Sequence, residues 1–334
     1  MIGVSLGGNL PEDYNARERE LILRQFNGVT PENGMKLSHI GHKPGQLDFA
    51  QADALVDFAQ AHRLQIHGHC LVWARDDATP EWFFRDGDHP ASREVMLPRL
   101  NEYIHAVVGR YRGKIKSWDV VNEALSDGKE QLRPSKWEQR IGPDFIAKAF
   151  EYAHQADPDA LLTYNDYSIE QPAKLKKLLR MLGELREAGA PIGAVGNQGH
   201  WELDHVPYDD IETMIDSVSK AGMKIAISEL DLGIVSRGRF WADGGSHRAE
   251  LANTDLYADG CPPDILQRQA EQYGRLFQLF RKHHKQIVRV TFWNLHDGRS
   301  WLNDFPWRHT EYPLLFDRDQ NPKPAYDAVM KAKE

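Results

Sequence analysis

The sequence predicts an α/β protein built as a single (β/α)8 TIM barrel, with its active-site cleft at the C-terminal face of the strands. Three observations lead to this fold class. Strand-like and helix-like segments alternate along all 334 residues, polar and aromatic residues collect just after the strand-like segments, and no linker or shift of composition divides residues 1–334 into two domains. An open doubly wound sheet is the alternative, and it is disfavoured because no Gly-x-Gly-x-x-Gly follows a strand.

Eight apolar, β-prone runs are the predicted strands. In chain order they span residues 2–6, 28–33, 64–72, 114–121, 160–164, 192–197, 224–230 and 287–295, of which the second is the weakest. Apolar residues at helical spacing predict a helix after each strand, over residues 11–26, 49–62, 95–111, 144–155, 172–188, 208–220, 265–282 and 325–331. Pro98 is expected to begin the regular part of the third helix or to kink it.

The connection after the seventh strand, residues 233–263, is unusually long, polar and Gly-rich. It contains Phe240, Trp241 and Tyr257. Loops of this length inside a compact domain are usually functional or disordered. Because the loop leaves the seventh strand on the face where a barrel places its site, it is a candidate functional loop.

Composition restricts the classes of partner. The formal net charge of −8 offers no general attraction to nucleic acid or anionic lipid, and no apolar run approaches the roughly 20 residues of a membrane span. We therefore expect neither partner, and we expect a monomer. Cys70 is expected in the core, while a disulfide with Cys261 stays open. The chain starts on a strand without signal-peptide regions, which favours a secreted or periplasmic location if a leader was removed and a cytoplasmic one otherwise.

Two of the predicted strands end in a glutamate. Residues 118–125 form an apolar run that closes with Asn122 and Glu123, and residues 224–231 repeat this pattern with Glu229 and Asp231. A carboxylate that closes a buried strand is a poor candidate for a surface residue, because burying a charge is costly. The two strands therefore predict a pair of carboxylates that face one substrate.

The other strand ends supply further polar and aromatic side chains. They are Glu32, Asn33 and Lys36; His69 and Trp73; Asn165, Asp166 and Tyr167; Gln198, His200 and Trp201; and Trp293, His296, Asp297 and Trp301. A metal site is disfavoured because neither His-x-x-x-His nor Cys-x-x-Cys occurs. A nucleophilic serine is disfavoured because no Gly-x-Ser-x-Gly elbow is found: the one match, residues 3–7, places Ser5 within the first predicted strand rather than on a turn after it. A saccharide cleft fits best, since sugars present hydroxyls to polar groups and C–H faces to aromatic rings. Glycoside cleavage also needs two carboxylates.

Eight segments together resemble glycoside hydrolase family 10. They are Glu32-Asn33-Gly34-Met35-Lys36, His69-Cys70-Leu71-Val72-Trp73, Trp118-Asp119-Val120-Val121-Asn122-Glu123-Ala124, Tyr164-Asn165-Asp166-Tyr167, Gly196-Asn197-Gln198-Gly199-His200-Trp201, Ser228-Glu229-Leu230-Asp231, Phe292-Trp293 and His296-Asp297-Gly298-Arg299-Ser300-Trp301-Leu302. They follow the family's order from strand two to strand eight, so the resemblance covers nearly the whole chain.

The resemblance implies a retaining endo-β-1,4-xylanase without a cofactor or metal. Glu123 would be the general acid/base and Glu229 the nucleophile. Desolvation and the charge of Glu229 are both expected to keep Glu123 protonated until the nucleophile has reacted. Asn122 would bind the sugar 2-hydroxyl, and His200, held by Asp231, would contact Glu229 with Gln198 beside it.

The resemblance also implies the substrate-binding positions along the cleft. The glycone subsites would be lined by Glu32, Asn33, Lys36, His69, Trp73, Trp293 and Trp301. Tyr167 would stack on the aglycone side. Trp82, Trp118 and Trp137 are instead expected to be packing residues.

The sequence departs from the family pattern near the glycone side. Ala74 stands where a second His is usual, His67 precedes Gly68 where Arg is commoner, and Leu37 replaces an aromatic residue after Lys36. Arg75, Asp76 and Asp77 also replace a more neutral stretch. Another β-glycanase or an exo-acting glycosidase on the same barrel is therefore an alternative. A xylan-binding barrel without activity is disfavoured, because both glutamates are present.

Overall fold

The computed structural model describes residues 1–237 and 254–332, and in these residues eight parallel strands close into a barrel. The strands are β1 (Ile2–Leu6), β2 (Gly28–Pro31), β3 (Gln65–Gly68), β4 (Ser117–Asn122), β5 (Leu161–Asp166), β6 (Ala194–Asn197), β7 (Lys224–Gly233) and β8 (Ile287–Phe292). Each strand pairs with the next, and β8 pairs with β1 to close the ring. The predicted fold class is confirmed.

Helices cover the outside of the barrel. They are α1 (Ala16–Gln25), α2 (Ala50–Ala61), α3 (Arg93–Arg110), α4 (Phe145–Ala156), α5 (Pro172–Glu187), α6 (Tyr208–Lys220), α7 (Pro263–Lys282) and α8 (Pro324–Lys331). Short helices also occur at Leu37–Ile40 and Lys136–Ile141. In the described part of the chain, no helix has the length and apolarity that a membrane crossing requires.

The starts of the first and third predicted helices differ from those in the structure. The first helix begins at Ala16 rather than residue 11, because Asn15 and Glu18 form a capping box that sets its start. α3 begins at Arg93 rather than residue 95, so Pro98 lies inside the helix. The expectation that Pro98 begins the regular part is therefore wrong, and the alternative, that it kinks the helix, stays a prediction.

The predicted third strand was also too long. β3 ends at Gly68, and the chain rejoins the sheet only at Val72–Trp73, which pairs with Val121 and Asn122 of β4. The intervening residues leave the ladder where His69 reaches the Asp119 carboxylate, with Nδ1 2.9 Å from Oδ2. An uninterrupted apolar run gave no sign of this break.

Several small elements near the cleft had no sequence signal. Arg85–Asp86 and His89–Pro90 form an antiparallel hairpin in the connection after β3, and His200–Glu202 extends the sheet along β7. The connection after β3 is fastened to the helix Lys136–Ile141, because Asp76 Oδ1 accepts a hydrogen bond from Lys136 N at 2.7 Å. The two loops therefore form one wall above the barrel.

The packing predictions for tryptophan and cysteine can be checked directly. Trp118 and Trp137 are fully buried, and Trp82 is partly buried against the core. Cys70 is buried, and both Cys70 and Cys261 are free thiols, so the open disulfide alternative is wrong.

The long connection after β7 is described at its two ends. Its first residues, Ile234 and Val235, are buried, and their N–H groups donate to the Glu311 carboxylate at 2.8 and 3.2 Å. Together with Leu203 and Trp307 these two residues form a small apolar cluster, and Tyr257 packs against it. Phe240 and Trp241 lie outside the described residues, so the predicted role of this loop is not tested.

Ionic contacts connect helix α1 to the loop that follows β8. Glu18 of α1 is buried, and Arg299 Nε and His296 Nε2 lie 2.5 and 3.0 Å from its Oε1. Burial alone would raise the pKa of Glu18, but hydrogen bonds from Arg299 and His296 lower it to about 2. The first helix is thereby tied to the loop that follows β8.

Candidate active site

The two strand-end glutamates lie at the C-terminal face of the barrel. Asn122 is the last residue of β4, and Glu123 follows it with a left-handed φ of 57°. Its N–H donates to Asn165 O at 2.9 Å, which holds this uncommon backbone conformation in place. Glu229 lies within β7. Both side chains are largely buried, with 7% of Glu123 and 5% of Glu229 exposed.

A chain of amide groups connects the two carboxylates. Asn165 Nδ2 donates to Glu229 Oε1 at 2.7 Å and lies 2.9 Å from the side-chain amide of Asn122. Gln198 Nε2 lies 3.4 Å from the same Asn122 amide group and donates to Glu123 Oε1 at 3.0 Å. The two glutamates are therefore positioned by one hydrogen-bonded unit, whose members come from β4, β5 and the end of β6.

Gly196 makes room for the centre of this unit. A Cβ atom at Gly196 would collide with Asn165 Oδ1. That oxygen also accepts a hydrogen bond from Ser228 Oγ at 2.5 Å, so the amide of Asn165 is held from both sides. Its Nδ2 is left free to face Glu229 and Asn122.

Glu229 is paired with a histidine that is itself held by a second carboxylate. His200 Nε2 lies 3.2 Å from Glu229 Oε2, and His200 Nδ1 lies 2.8 Å from Asp231 Oδ2. Burial alone would lower the pKa of His200, but the charge and hydrogen bond of Asp231 and the contact with Glu229 raise it to about 9. His200 is thus an imidazolium at neutral pH.

The same contacts set the charge of Glu229. Burial by itself would raise the pKa of this carboxyl, but the hydrogen bond from His200, the electrostatic effect of His69 and the charge of His200 lower it overall. Glu229 is therefore an anion at neutral pH. Trp301 completes this side of the site, because its Nε1 donates to Asp231 Oδ2 at 2.8 Å.

A buried charge network supports His69 from behind. Asp119 Oδ2 lies 2.9 Å from both His69 Nδ1 and His67 Nε2. Although burial opposes it, these contacts hold the pKa of Asp119 well below its usual range. Burial and the nearby Arg289 charge lower the pKa of His67 to about 4, so this ring is neutral. His69 meets Trp293 edge to face, with ring centroids 5.3 Å apart.

The predicted glycone residues follow β2, β3 and β8. Lys36 Nζ donates to Asn33 Oδ1 at 2.9 Å and lies 4.6 Å from the centroid of Trp73. Glu32 accepts a hydrogen bond from Asn294 Nδ2 at 2.9 Å. Burial raises the pKa of Glu32, despite the opposing charge of Lys36. The Arg75 guanidinium lies 5.5 Å from the centroid of Trp73, so two cations flank this indole.

Tyr167 lies on the opposite side, in a cluster of charged residues. Its hydroxyl bonds the Asp127 carboxylate and accepts a hydrogen bond from Arg133 Nη2 at 2.8 Å. Lys174 Nζ lies 3.6 Å from the ring centroid and 2.9 Å from Asp127 Oδ1. The aromatic position is therefore held by three charged side chains.

The structure brings the predicted residues together in three groups. Glu123, Asn122 and Gln198 meet Glu229, His200 and Asp231 through the amide unit, with His69, Trp293 and Trp301 around Glu229. Glu32, Asn33, Lys36 and Trp73 form one flank, and Tyr167 lies apart on the other. Among residues 1–237 and 254–332, no three His, Cys, Asp or Glu side chains converge as metal ligands would.

Three residues at the site were not predicted to act there. Asn165 was noted only as a strand-end residue, yet it touches both Glu229 and Asn122. Asn294 donates to Glu32 and accepts from Trp301 N at 2.9 Å. Arg133 contacts Glu123 from a loop. The strand-end rule could have selected Asn165 and Asn294, whereas no pattern in the sequence singles out Arg133.

Comparison with known proteins identifies the family. The sequence profile described as "Glycosyl hydrolase family 10" matches residues 3–332. An endo-1,4-beta-xylanase of Geobacillus stearothermophilus is 39% identical over 318 residues, which cover 94% of this chain and 91% of the relative. A beta-1,4-xylanase of Dictyoglomus thermophilum is 39% identical over 313 residues, covering 93% and 83%.

Solved structures agree with the sequence relatives. A GH10 endoxylanase retrieved from a sugarcane soil metagenome superposes with a TM-score of 0.90 at 36% identity, covering 100% of this chain and 96% of that one. Xylanase B from Clostridium stercorarium F9 superposes with a TM-score of 0.89 at 34% identity, covering 98% and 95%.

Proposed function

The chain belongs to glycosyl hydrolase family 10, and on that premise we propose that it is a retaining endo-β-1,4-xylanase. It hydrolyses internal β-1,4-xylosidic bonds of xylan by double displacement. The observation that carries this proposal is the pair of buried glutamates joined by one amide unit and given different surroundings. The related xylanases support xylan as the substrate class over other β-glycans.

In the first half-reaction, Glu229 attacks the anomeric carbon of the bound xylose. The C1–O bond to the leaving sugar breaks, a bond from C1 to a Glu229 oxygen forms, and Glu123 gives its proton to the leaving oxygen. Glu229 suits the nucleophile role because it is ionised. Its two oxygens are aligned by Asn165 and His200.

In the second half-reaction, Glu123 acts as a base. It removes a proton from water, the water oxygen bonds to C1, and the ester to Glu229 breaks. Two inversions at C1 restore the β configuration. Glu123 can change roles because esterification removes the negative charge of Glu229, which favours the ionised form of its neighbour. A retaining enzyme requires a carboxyl separation of about 5–5.5 Å.

The neighbouring side chains bind and orient the substrate. Asn122 hydrogen-bonds the 2-hydroxyl at the cleavage point, and Gln198 and His200 keep the two carboxyls in register. Glu32, Asn33, Lys36 and His69 bind glycone hydroxyls, while Trp73, Trp293 and Trp301 pack on the sugar faces. Tyr167 stacks on the aglycone sugar. Apolar C–H faces against aromatic rings and hydroxyls against polar groups match the chemistry of a xylan chain.

Azide trapping tests the two assignments separately. Glu229→Ala is expected to lose hydrolysis of an aryl xylobioside by at least about 10⁴-fold, because no covalent intermediate forms. Added azide should then attack directly and yield the α-configured azide. In Glu123→Ala, azide should replace the water and yield the β-configured azide from the intermediate. Hydrolysis by Glu229→Ala at the wild-type rate would overturn the proposal.

Substrate and cleavage mode are tested with the wild-type protein. Products from xylan, mixed-linkage glucan and cellulose separate a xylanase from another β-glycanase, and product sizes separate internal from terminal cleavage. Proton NMR of the first product should show the β anomer before mutarotation. An initial α anomer would show inversion and contradict the double-displacement mechanism.

A further inference from the structure

We infer that Arg133 is a positioning residue for Glu123, which holds the backbone of that glutamate and places a positive charge beside its carboxyl. The inference rests on the proposed role of Glu123 as general acid/base. Arg133 lies on the loop between β4 and the helix Lys136–Ile141, ten residues beyond Glu123 in the chain. It does not lie at a strand end, and the reaction described above assigns it no part.

The guanidinium contacts both ends of Glu123. Arg133 Nε donates to the main-chain oxygen of Glu123 at 3.1 Å, and Nη2 lies 3.8 Å from Glu123 Oε2. The main chain of Arg133 is held in turn, because its N–H donates to Ala124 O at 2.8 Å. Since Glu123 has the left-handed φ of 57°, a partner that donates to its carbonyl oxygen helps to maintain that conformation.

The same guanidinium reaches the aglycone side. Its Nη2 donates to Tyr167 OH at 2.8 Å and lies 3.9 Å from Asp127 Oδ2. One planar group thus joins the acid/base to the ring that is proposed to stack on the leaving sugar. A planar fork with several N–H donors suits this task, whereas an ammonium group offers a single point charge.

Other charged groups face Glu123 from the surrounding elements. Arg75 in the connection after β3 attracts its negative charge, and the buried Asp166 of β5 repels it. Asp166 is itself paired with Lys174 of α5, with Nζ 3.0 Å from Oδ1. Among the described residues, Arg133 is the basic side chain within 4.0 Å of the Glu123 carboxyl. Among the described residues its charge is therefore the positive charge nearest to that carboxyl.

The sign of this effect follows from Coulomb attraction. A nearby cation favours the ionised carboxylate, so it eases the base step and limits the pH range over which the acid form persists. When the cation is removed, Glu123 should keep its proton to higher pH. The alkaline limb of the pH profile of kcat/KM should then move to higher pH. The acidic limb of the pH profile of kcat for an activated aryl substrate should also move to higher pH. A purely structural role would reduce rates without moving either limb.

Two substitutions at Arg133 separate charge from geometry. Arg133→Met is expected to move both limbs up by about 0.5–1 pH unit, less than a fully buried pair would show because Asp127 and solvent share the charge. Arg133→Lys keeps the charge but loses the hydrogen bond to the Glu123 carbonyl. It should leave the limbs in place and lower kcat about threefold to tenfold.

Lys136→Met is the matched control. It removes the same unit of charge three residues further along the chain. The Lys136 Nζ pairs with Glu81 Oε2 at 2.6 Å, and neither residue belongs to the active-site glutamate pair. Its profile should coincide with that of the wild type. If Arg133→Met melts below the assay temperature, Arg133→Gln provides the same loss of charge with a polar end.

The outcomes distinguish this inference from the proposed function. Unmoved limbs in a folded Arg133→Met variant, or equal shifts in the Met and Lys variants, would overturn the role of Arg133. Glu123→Ala is measured alongside on xylo-oligosaccharides. If that variant hydrolyses them as fast as the wild type, the acid/base assignment itself fails, whatever the Arg133 variants show.

Discussion

Glu229 and Glu123 stand at the two ends of one amide unit, but different kinds of structure hold them. Glu229 lies inside a strand, and its partners Asn165 and His200 come from strand β5 and from the short strand that pairs with β7. Glu123 lies one residue beyond its strand in a left-handed conformation, with a loop arginine at its carbonyl. One glutamate is positioned by the sheet, and the other by a loop.

This difference matches the two proposed tasks. A nucleophile must remain ionised and aligned until it attacks, and a fixed imidazolium with a strand-borne amide provides that. A general acid/base must lose and regain a proton in each cycle, so it benefits from surroundings that do not commit it to one state. Added negative charge near the proposed nucleophile should therefore lower the rate strongly, whereas changes near the proposed acid/base should mainly shift the pH profile.

Asn165→Asp changes the residue that contacts both Glu229 and Asn122. It replaces the amide donor of Glu229 with a second carboxylate of the same shape. We expect kcat/KM to fall by at least about a hundredfold, because a hydrogen bond to a charged group is lost and like charges are brought together. The measurement is steady-state hydrolysis of an aryl xylobioside.

Asn165→Ala is the companion variant for this test. It removes the donor without adding charge, and it should cost about tenfold. Circular dichroism checks that both proteins are folded. Equal losses in the two variants would mean that charge is unimportant on the nucleophile side.

His200→Gln addresses the same side through the pH dependence of stability. The pKa of His200 is raised from 6.5 to about 9 by Asp231 and Glu229 against the effect of burial. A raised histidine pKa stabilises the folded state fully below pH 6.5, and this contribution is lost as the pH rises towards 9. The free energy of unfolding of the wild type, relative to the variant, should decline across that window.

Urea unfolding at pH 6, 7.5 and 9 measures this difference. His105→Gln, at an exposed position on α3, serves as the control and should show a constant difference from the wild type. A difference between wild type and His200→Gln that is flat across the window would contradict the imidazolium assignment.

Asn294→Gly should have the smallest effect. It removes the amide that donates to Glu32 and accepts from Trp301 N, on the proposed glycone flank. Glycine keeps the left-handed φ of 86° without strain. We expect kcat/KM for xylotriose to fall about threefold to tenfold, with the pH limbs in place.

Asn294→Ala provides the comparison for the backbone. It loses the same hydrogen bonds but forces a β-carbon into that conformation, so its free energy of unfolding should be lower than that of Asn294→Gly by about 1 kcal/mol. Equal stability of the two variants would show that the backbone conformation at this position has no measurable cost.

The sheet-held side of the site could be predicted from the sequence to a large extent. Buried strands have a recognisable pattern, and a polar residue that closes such a strand must emerge at one face of the barrel. This rule alone located Glu229, His200 and Asp231. The rule also selected Asn165 as a strand-end residue, but it could not predict what Asn165 contacts. Whether an amide faces a carboxylate on another strand depends on the register of the strands. Here Asn122 is opposite Asn165.

Glu123 was located by the same rule, but the loop contact that holds it could not be predicted. Arg133 is one of many charged residues in a polar stretch, and its contact with Glu123 depends on how the loop folds back. The break after Gly68 was equally invisible, since it is caused by contacts of His69 and Leu71 with β4 rather than by residue type. Local patterns report strands and helices, whereas loops are set by tertiary contacts.

Closure of the ring has a consequence for how the protein is made. β1 pairs with β2 on one edge, but its other edge is unpaired until β8 exists, at residues near the end of the chain. During synthesis from the N-terminus, both glutamates are therefore complete while the ring is still open. The contacts of Glu18 with His296 and Arg299 also cannot form until those two residues have been synthesised. A nascent chain stopped before β8 would therefore carry both glutamates but lack Trp293 and Trp301, which are proposed to pack on the sugar faces.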